Sequence, residues 1–256
     1  MQECRVHSSN EVARMSISLP ALASAARHPR RTLRRLRDRW LVPAGYGAWR
    51  PLVPEEEYLV AVRGAVTRLL RDPEAQPVGD YLEFGVSRGT SMACMHQVLK
   101  EHRLSDTRLI GFDSFEGMPK GSEAEGWREG QYHSTLGATR RYLAGRGVDL
   151  GRVKLVKGWF DTTCNPETRA ALNLSRVSLL MLDCDTYSST NVALDFALPL
   201  VGDRAVLIFD DWGARADKGE IGQKDSFDER VIATGAFDIE ELAPYGRAKI
   251  FHLSRR

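Results

Sequence analysis

The chain has 256 residues, 43 % of them hydrophobic and 27 % charged, with a net charge of +2. That is ample for one α/β domain with a sizeable core. No apolar run approaches a membrane span, and no apolar signal-peptide core follows the N-terminus, so a protein of the cytoplasm is expected. The four cysteines, Cys4, Cys94, Cys164 and Cys184, lack CxxC or zinc-ligand spacing and read as reduced thiols.

The charge is unevenly spread. Residues 1–40 carry nine arginines against three acids, a local charge of +6 that leaves −4 for the remainder. The Arg27–Arg39 cluster has no aromatic interleaving or nucleic-acid motif and lacks the apolar face of an interfacial helix. Nucleic acid, a membrane surface or an acidic partner could bind such a cluster, but it reads first as a solvated helix face or disordered tail, with no nucleic-acid partner expected. Trp40 to Pro54, rich in Pro, Gly and aromatics, reads as a cover segment, so residues 1–54 form a basic extension. Glu55 to Arg71 has helical spacing, with Leu59, Val62, Val66 and Leu69 on one side.

Asp80 to Gly85 is a strand that runs through a small-residue turn, Val86 to Ser91, into a helix ending near His102. Such a turn brings a ligand close to backbone N–H groups. The glycine spacing is not that of a dinucleotide fingerprint. Glu83, two residues before Gly85, would repel a pyrophosphate but attract an ammonium group. The next strand, Arg108 to Phe112, ends in Asp113, where a doubly wound fold places an acid to accept both ribose hydroxyls. An ammonium partner and a ribose partner together describe S-adenosylmethionine better than NAD.

Lys120 to His133 is a Gly/Glu-rich stretch with Trp127, Tyr132 and His133, long enough to serve as a lid over an acceptor. His133 is placed to help bind or deprotonate an acceptor, but a lone loop histidine is more often simply solvated. Ser134 to Arg146 reads as a helix and Val153 to Val156 as the third strand, with Trp159 and Phe160 at its end suited to adenine or to core.

Two continuous apolar runs follow, Ser178 to Leu182 and Ala205 to Phe209, each ending in carboxylates: Asp183 and Asp185, then Asp210 and Asp211. Such runs suit parallel strands buried on both faces. A crossover helix between them makes the strands neighbours, about 4.8 Å apart. Four acids at one sheet end are costly unless some protonate or a cation neutralises them, and oxygen ligands favour Mg²⁺. The plainer alternative is that some of them cap helices and start turns. If the strand stays extended beyond Leu182, alternation points Asp183 and Asp185 to the same side. Asp225 to Thr234 reads as a helix and Ala248 to Leu253 as a last, antiparallel strand.

The stretches Asp113-Ser114-Phe115-Glu116-Gly117-Met118-Pro119, Glu83-Phe84-Gly85-Val86, Gly158-Trp159-Phe160-Asp161-Thr162 and Leu182-Asp183-Cys184-Asp185-Thr186-Tyr187-Ser188-Ser189-Thr190 closely resemble the macrocin/mycinamicin/novobiocin O-methyltransferase family. The resemblance runs from about Asp80 to the C-terminus and makes residues 55–256 a methyltransferase domain. It implies a class I, Rossmann-like, doubly wound sheet, mostly parallel with an antiparallel strand near the C-terminus. It also implies S-adenosylmethionine and Mg²⁺ as cofactors. On that resemblance Asp183, Asp210 and Asp211 hold the metal and Asp185 is the base. Glu83, Phe84, Gly85, Val86, Ser87, Asp113, Ser114, Phe115, Glu116, Gly117, Phe160 and Leu182 hold the cofactor. The expected partner is a small-molecule hydroxyl acceptor, foremost the sugar of an antibiotic-like metabolite, and a homo-oligomer is left open. Residues 1–40 do not resemble the family's usual N-terminal segment. A catechol acceptor, an S-adenosylmethionine-binding partner without turnover, and metal-assisted phosphate hydrolysis are the competing readings.

Overall fold

The computed structural model describes residues 37, 41–44, 50–71 and 76–256. The chain divides into two compact units, Met1–Leu41 and Val42–Arg256. All of the Arg27–Arg39 cluster except Arg37 lies outside the described residues.

Seven strands form one sheet: β1 (Asp80–Phe84), β2 (Leu109–Asp113), β3 (Val153–Lys157), β4 (Val177–Leu182), β5 (Val201–Phe209), β6 (Phe237–Leu242) and β7 (Lys249–Arg255). Their order is β3-β2-β1-β4-β5-β7-β6. The first five neighbours are parallel, and β7 runs antiparallel between β5 and β6. The chain reverses direction across the sheet between β1 and β4, the switch point at which doubly wound sheets open a crevice.

Every residue of β1 and of β4 is buried. Tyr81, Met181 and Ile208 face one side, packed by α1 (Glu55–Leu69) and α2 (Thr90–Glu101) through Tyr58, Val62, Met92 and Met95. Leu82, Phe84, Leu180 and Phe209 face the other, where Leu194 and Phe196 of α6 (Tyr187–Ala197) cover them. Truncating a fully buried residue such as Leu180 to Ala costs roughly 2–5 kcal/mol. The intervening helices are α3 (Leu136–Gly145), α4 (Phe160–Thr163) and α5 (Pro166–Ala171), and α7 (Trp212–Ala216) and α8 (Gln223–Arg230) follow β5.

Caps set several of these starts. Three acids, Glu55, Glu56 and Glu57, fill the first turn of α1, where they complement the helix dipole. Thr135 accepts from the Ala138 N–H ahead of α3, and Thr186 accepts from the Ser189 N–H ahead of α6.

The expected helix over Asp225 to Thr234 starts two residues earlier, stops at Arg230 and continues as one 3-10 turn, Ile232–Thr234. β6 escapes the sequence pattern because, at the sheet edge, its Asp238, Glu240 and Glu241 stay exposed. Among the described residues no helix is long and apolar enough to cross a membrane. Cys94, Cys164 and Cys184 are free thiols.

Candidate active site

The register of the sheet assembles the site. Phe84 pairs with Leu182 and Leu182 with Phe209, so Gly85, Asp183 and Asp210 leave three adjacent strands at the same level. The approach is close enough to require glycine: a Cβ on Gly85 (φ 92°) would lie 1.6 Å from the Asp183 carbonyl oxygen. Above these strand ends lies a cavity of about 480 Å³, lined by Gly85, Ser87, Asp113, Trp127, Trp159 and the acids of β4 and β5 among others.

Asp113 anchors one half of the cavity. Its carboxylate accepts the Ser87 N–H at 2.7 Å and the Phe115 N–H at 2.5 Å, which fixes its orientation. Burial pushes this carboxyl above its ordinary range, while backbone N–H groups of Ser87, Phe115 and Val86 pull the other way, helped by nearby His133. Ser87 and Phe115 both hold left-handed backbone (φ 45° and 53°) to make those contacts. Trp159 and Phe160 wall the cavity beyond Gly158, and Phe160 meets the Phe84 ring edge-on at 5.6 Å.

The other half is anionic. Asp183, Asp210 and Asp211 each offer an oxygen, all within 4.8 Å of one another. Burial first, and then the neighbouring acids, push Asp183 and Asp211 well above the ordinary carboxylate range. Burial also raises Asp210, against the hydrogen bond it receives from Tyr245. Asp185 is pushed up to about 7, by burial and then by Asp210. Six aspartates line the cavity and, among the described residues, no lysine, arginine or histidine does. An acid cluster so placed fits a hard divalent cation.

A compact loop closes over this half. Its neck is pinned by the Met118 N–H donating to Gln131 C=O and the Gly130 N–H to Met118 C=O, both 2.9 Å. Gly117 (φ 86°) lies under that neck, with no room for a side chain. Inside the loop Trp127 and Tyr132 meet at 5.8 Å and line the cavity, and the indole N–H is buried without a protein partner. Glu125 docks the loop onto α6, accepting from the Tyr187 N–H at 2.9 Å and the Ser188 hydroxyl at 3.0 Å.

Of the expected cofactor residues, Gly85, Ser87, Asp113, Ser114, Gly117 and Phe160 line the cavity, as do Asp183, Asp185, Asp210 and Asp211. Glu83 lies apart from these residues. It shares the α1/α2 face with Tyr81, has no exposed surface, and accepts hydroxyls from Tyr81 and Ser91, each at 2.6 Å. It is not part of the cavity wall. Phe84, Val86, Phe115 and Leu182 have their side chains in the core, and the Glu116 side chain turns outward to Lys157 at 3.2 Å.

Asp185 also departs from the strand-alternation argument. β4 stops at Leu182 and Asp185 is left-handed (φ 63°), so a turn rather than a pleat aims it. His133 lies on the Asp113 side and is not part of the cavity wall. Glu125, Gln223 and Tyr245 were missed, since each reaches the site from a loop or helix start with no local motif.

The sheet order, the acid-ended β2 and the cavity at the switch point define the fold of a class I methyltransferase. The solved O-methyltransferase NovP shares that fold, with a TM-score of 0.61 at 22 % identity over 78 % of either chain. Residues 59–245 match the model of the macrocin O-methyltransferase (TylF) family, and the chain belongs to that family. It is 30 % identical over 175 residues to the 8-demethyl-8-(2,3-dimethoxy-alpha-L-rhamnosyl)-tetracenomycin-C 4'-O-methyltransferase of Streptomyces olivaceus, covering 62 % of this chain and 65 % of that protein. It is 27 % identical to the mycinamicin III 3''-O-methyltransferase of Micromonospora griseorubida, covering 52 % of this chain and 55 % of that one. The chain thus spans less than two thirds of the length of these relatives.

Proposed function

We propose that this protein transfers the methyl group of S-adenosylmethionine to a hydroxyl on a sugar of a secondary metabolite, in a reaction that requires a divalent metal. The observation that carries the reading is that Asp113 with its turn, and the acid cluster of β4 and β5, open into one cavity. The family membership supports methyl transfer, and the relatives named for a rhamnosyl tetracenomycin and for mycinamicin support a sugar-bearing acceptor.

Each residue then has a task. The oriented Asp113 carboxylate accepts the two ribose hydroxyls of the donor, while Trp159 and Phe160 provide an apolar wall for its adenine. Asp183, Asp210 and Asp211 would hold Mg²⁺, a hard ion that when bound supplies Lewis acidity to the acceptor hydroxyl. Asp185 takes the hydroxyl proton onto its carboxylate as the oxygen–carbon bond forms and the sulfur–carbon bond breaks. Trp127, Gln131 and Tyr132 cover the acceptor side and exclude water.

The test is incubation with labelled S-adenosylmethionine, Mg²⁺ and a panel of deoxysugar-bearing polyketides beside simple catechols. Label on a sugar oxygen is expected. Label on catechols alone would replace the acceptor class, and cofactor binding without transfer to any acceptor would favour a non-catalytic partner.

A further inference from the structure

Gln223 is the first residue of α8, is only 1 % exposed, and does not line the cavity. Its side-chain amide makes two hydrogen bonds, one to the end of β4 and one to the residue pair that follows β5. One partner is a carbonyl and the other an N–H, which fixes the amide orientation: Nε2 donates to the Leu182 C=O at 2.9 Å, and Oε1 accepts from the Asp211 N–H at 3.0 Å. Leu182 immediately precedes Asp183. Its carbonyl also accepts the Asp210 N–H at 3.1 Å, the last backbone rung between the two strand ends.

Beyond that rung the chain leaves the sheet, since Asp211 is the residue on which α7 starts. Its N–H donates to Gln223 rather than to a neighbouring strand, and a buried donor left without a partner costs about 1–3 kcal/mol. The Gln223 amide supplies the missing rung and spans the gap between the Asp183 and Asp210–Asp211 ends from behind. The chain of contacts continues into the site, where Asp211 Oδ2 accepts the Asp185 N–H at 2.9 Å.

We infer that Gln223 is a positioning residue, a side-chain rung that sets the spacing of the three acids and so the affinity of the site for a divalent cation. The inference rests on the metal reading above. Groups that orient metal ligands typically change metal affinity about 10–100-fold when removed. A residue that only supports the fold would instead weaken cofactor binding and thermal stability along with it.

The experiment measures Mn²⁺ binding by electron paramagnetic resonance, with the full chain saturated with S-adenosylhomocysteine. Two variants are compared with the wild type. Gln223→Met keeps the volume and removes both hydrogen bonds; Gln223→Asn keeps the amide but is too short to reach both partners. Either variant is expected to raise the Mn²⁺ Kd about 10–100-fold while the S-adenosylhomocysteine Kd, measured by calorimetry, stays close to that of the wild type. An unchanged Mn²⁺ Kd in a variant that still binds S-adenosylhomocysteine overturns the inference and leaves the metal reading standing. Loss of S-adenosylhomocysteine binding in both variants also overturns it, by showing that Gln223 holds the fold. A wild type that binds no Mn²⁺ overturns the metal reading and the inference together.

Discussion

The Asp185 backbone N–H donates to the Asp211 carboxylate at 2.9 Å, joining the turn after β4 to the acid pair after β5. Asp185 thereby orients one carboxylate of the cluster through its main chain, while its side chain meets the same carboxylate. Replacing the side chain alone should separate the two roles. Asp185→Asn is expected to lower the maximal methyl-transfer rate by about 10²–10⁴-fold with little change in the Mg²⁺ needed for half-saturation. A rate that recovers at high Mg²⁺ would assign the Asp185 carboxylate to the metal instead.

Asp113 is held by two backbone N–H groups before any ligand arrives. Asp113→Ala should weaken S-adenosylhomocysteine binding by about 1–3 kcal/mol, the value of charge-assisted hydrogen bonds to the ribose. Calorimetry checks this directly. Unaltered affinity would place the ribose elsewhere in the cavity.

Glu83, excluded from the cavity, has a consequence for stability. Burial lifts its carboxyl from 4.5 to about 8, against the pull of the Ser91 and Tyr81 hydroxyls. Between these two pH values the folded chain keeps a proton that the unfolded chain has released. The stabilisation is therefore complete below pH 4.5 and is lost as pH rises through about 8. Glu83→Gln, which cannot ionise, should gain on the wild type across that window, by up to a few kcal/mol since one pKa unit is worth about 1.4 kcal/mol. Urea unfolding at pH 5.5 and 8.5 measures it, and parallel behaviour of the two proteins would contradict the buried, protonated state.

The loop over the acceptor side is docked through one carboxylate. Glu125→Ala removes both of its contacts with α6. Charge-assisted bonds of this kind contribute roughly 1.5–3 kcal/mol each, so trypsin should cut after the exposed Arg128 at least about tenfold faster in the variant. Equal cleavage rates would mean that the neck bonds of Met118 and Gly130 hold the loop unaided.

Much of this architecture was legible in the residues. Continuous apolar runs marked β4 and β5, and acids at the ends of both located the cluster, because a sheet buried on two faces leaves its polar groups at the strand ends. Which face a single residue takes was less legible. Glu83 stands two residues before a turn glycine, and the spacing alone does not reveal that it alternates with Tyr81 toward α1 and α2 rather than into the cavity. Asp185 was expected on an extended strand, but a left-handed turn follows Leu182 and aims it differently. Gln223 and Tyr245 carried no signal, since they reach Asp211 and Asp210 across 12 and 35 residues and only the folded chain brings them near.

If the acids that follow β4 and β5 hold a metal ion on which methyl transfer depends, chelation decides the matter: labelled methyl transfer to a deoxysugar-bearing acceptor is measured after exhaustive EDTA treatment, before and after Mg²⁺ is restored. Activity should vanish on chelation and return with Mg²⁺, and Asp210→Asn or Asp211→Asn should need more Mg²⁺ for half-recovery. Full activity in the chelated wild type would contradict the account and leave the cluster a structural feature.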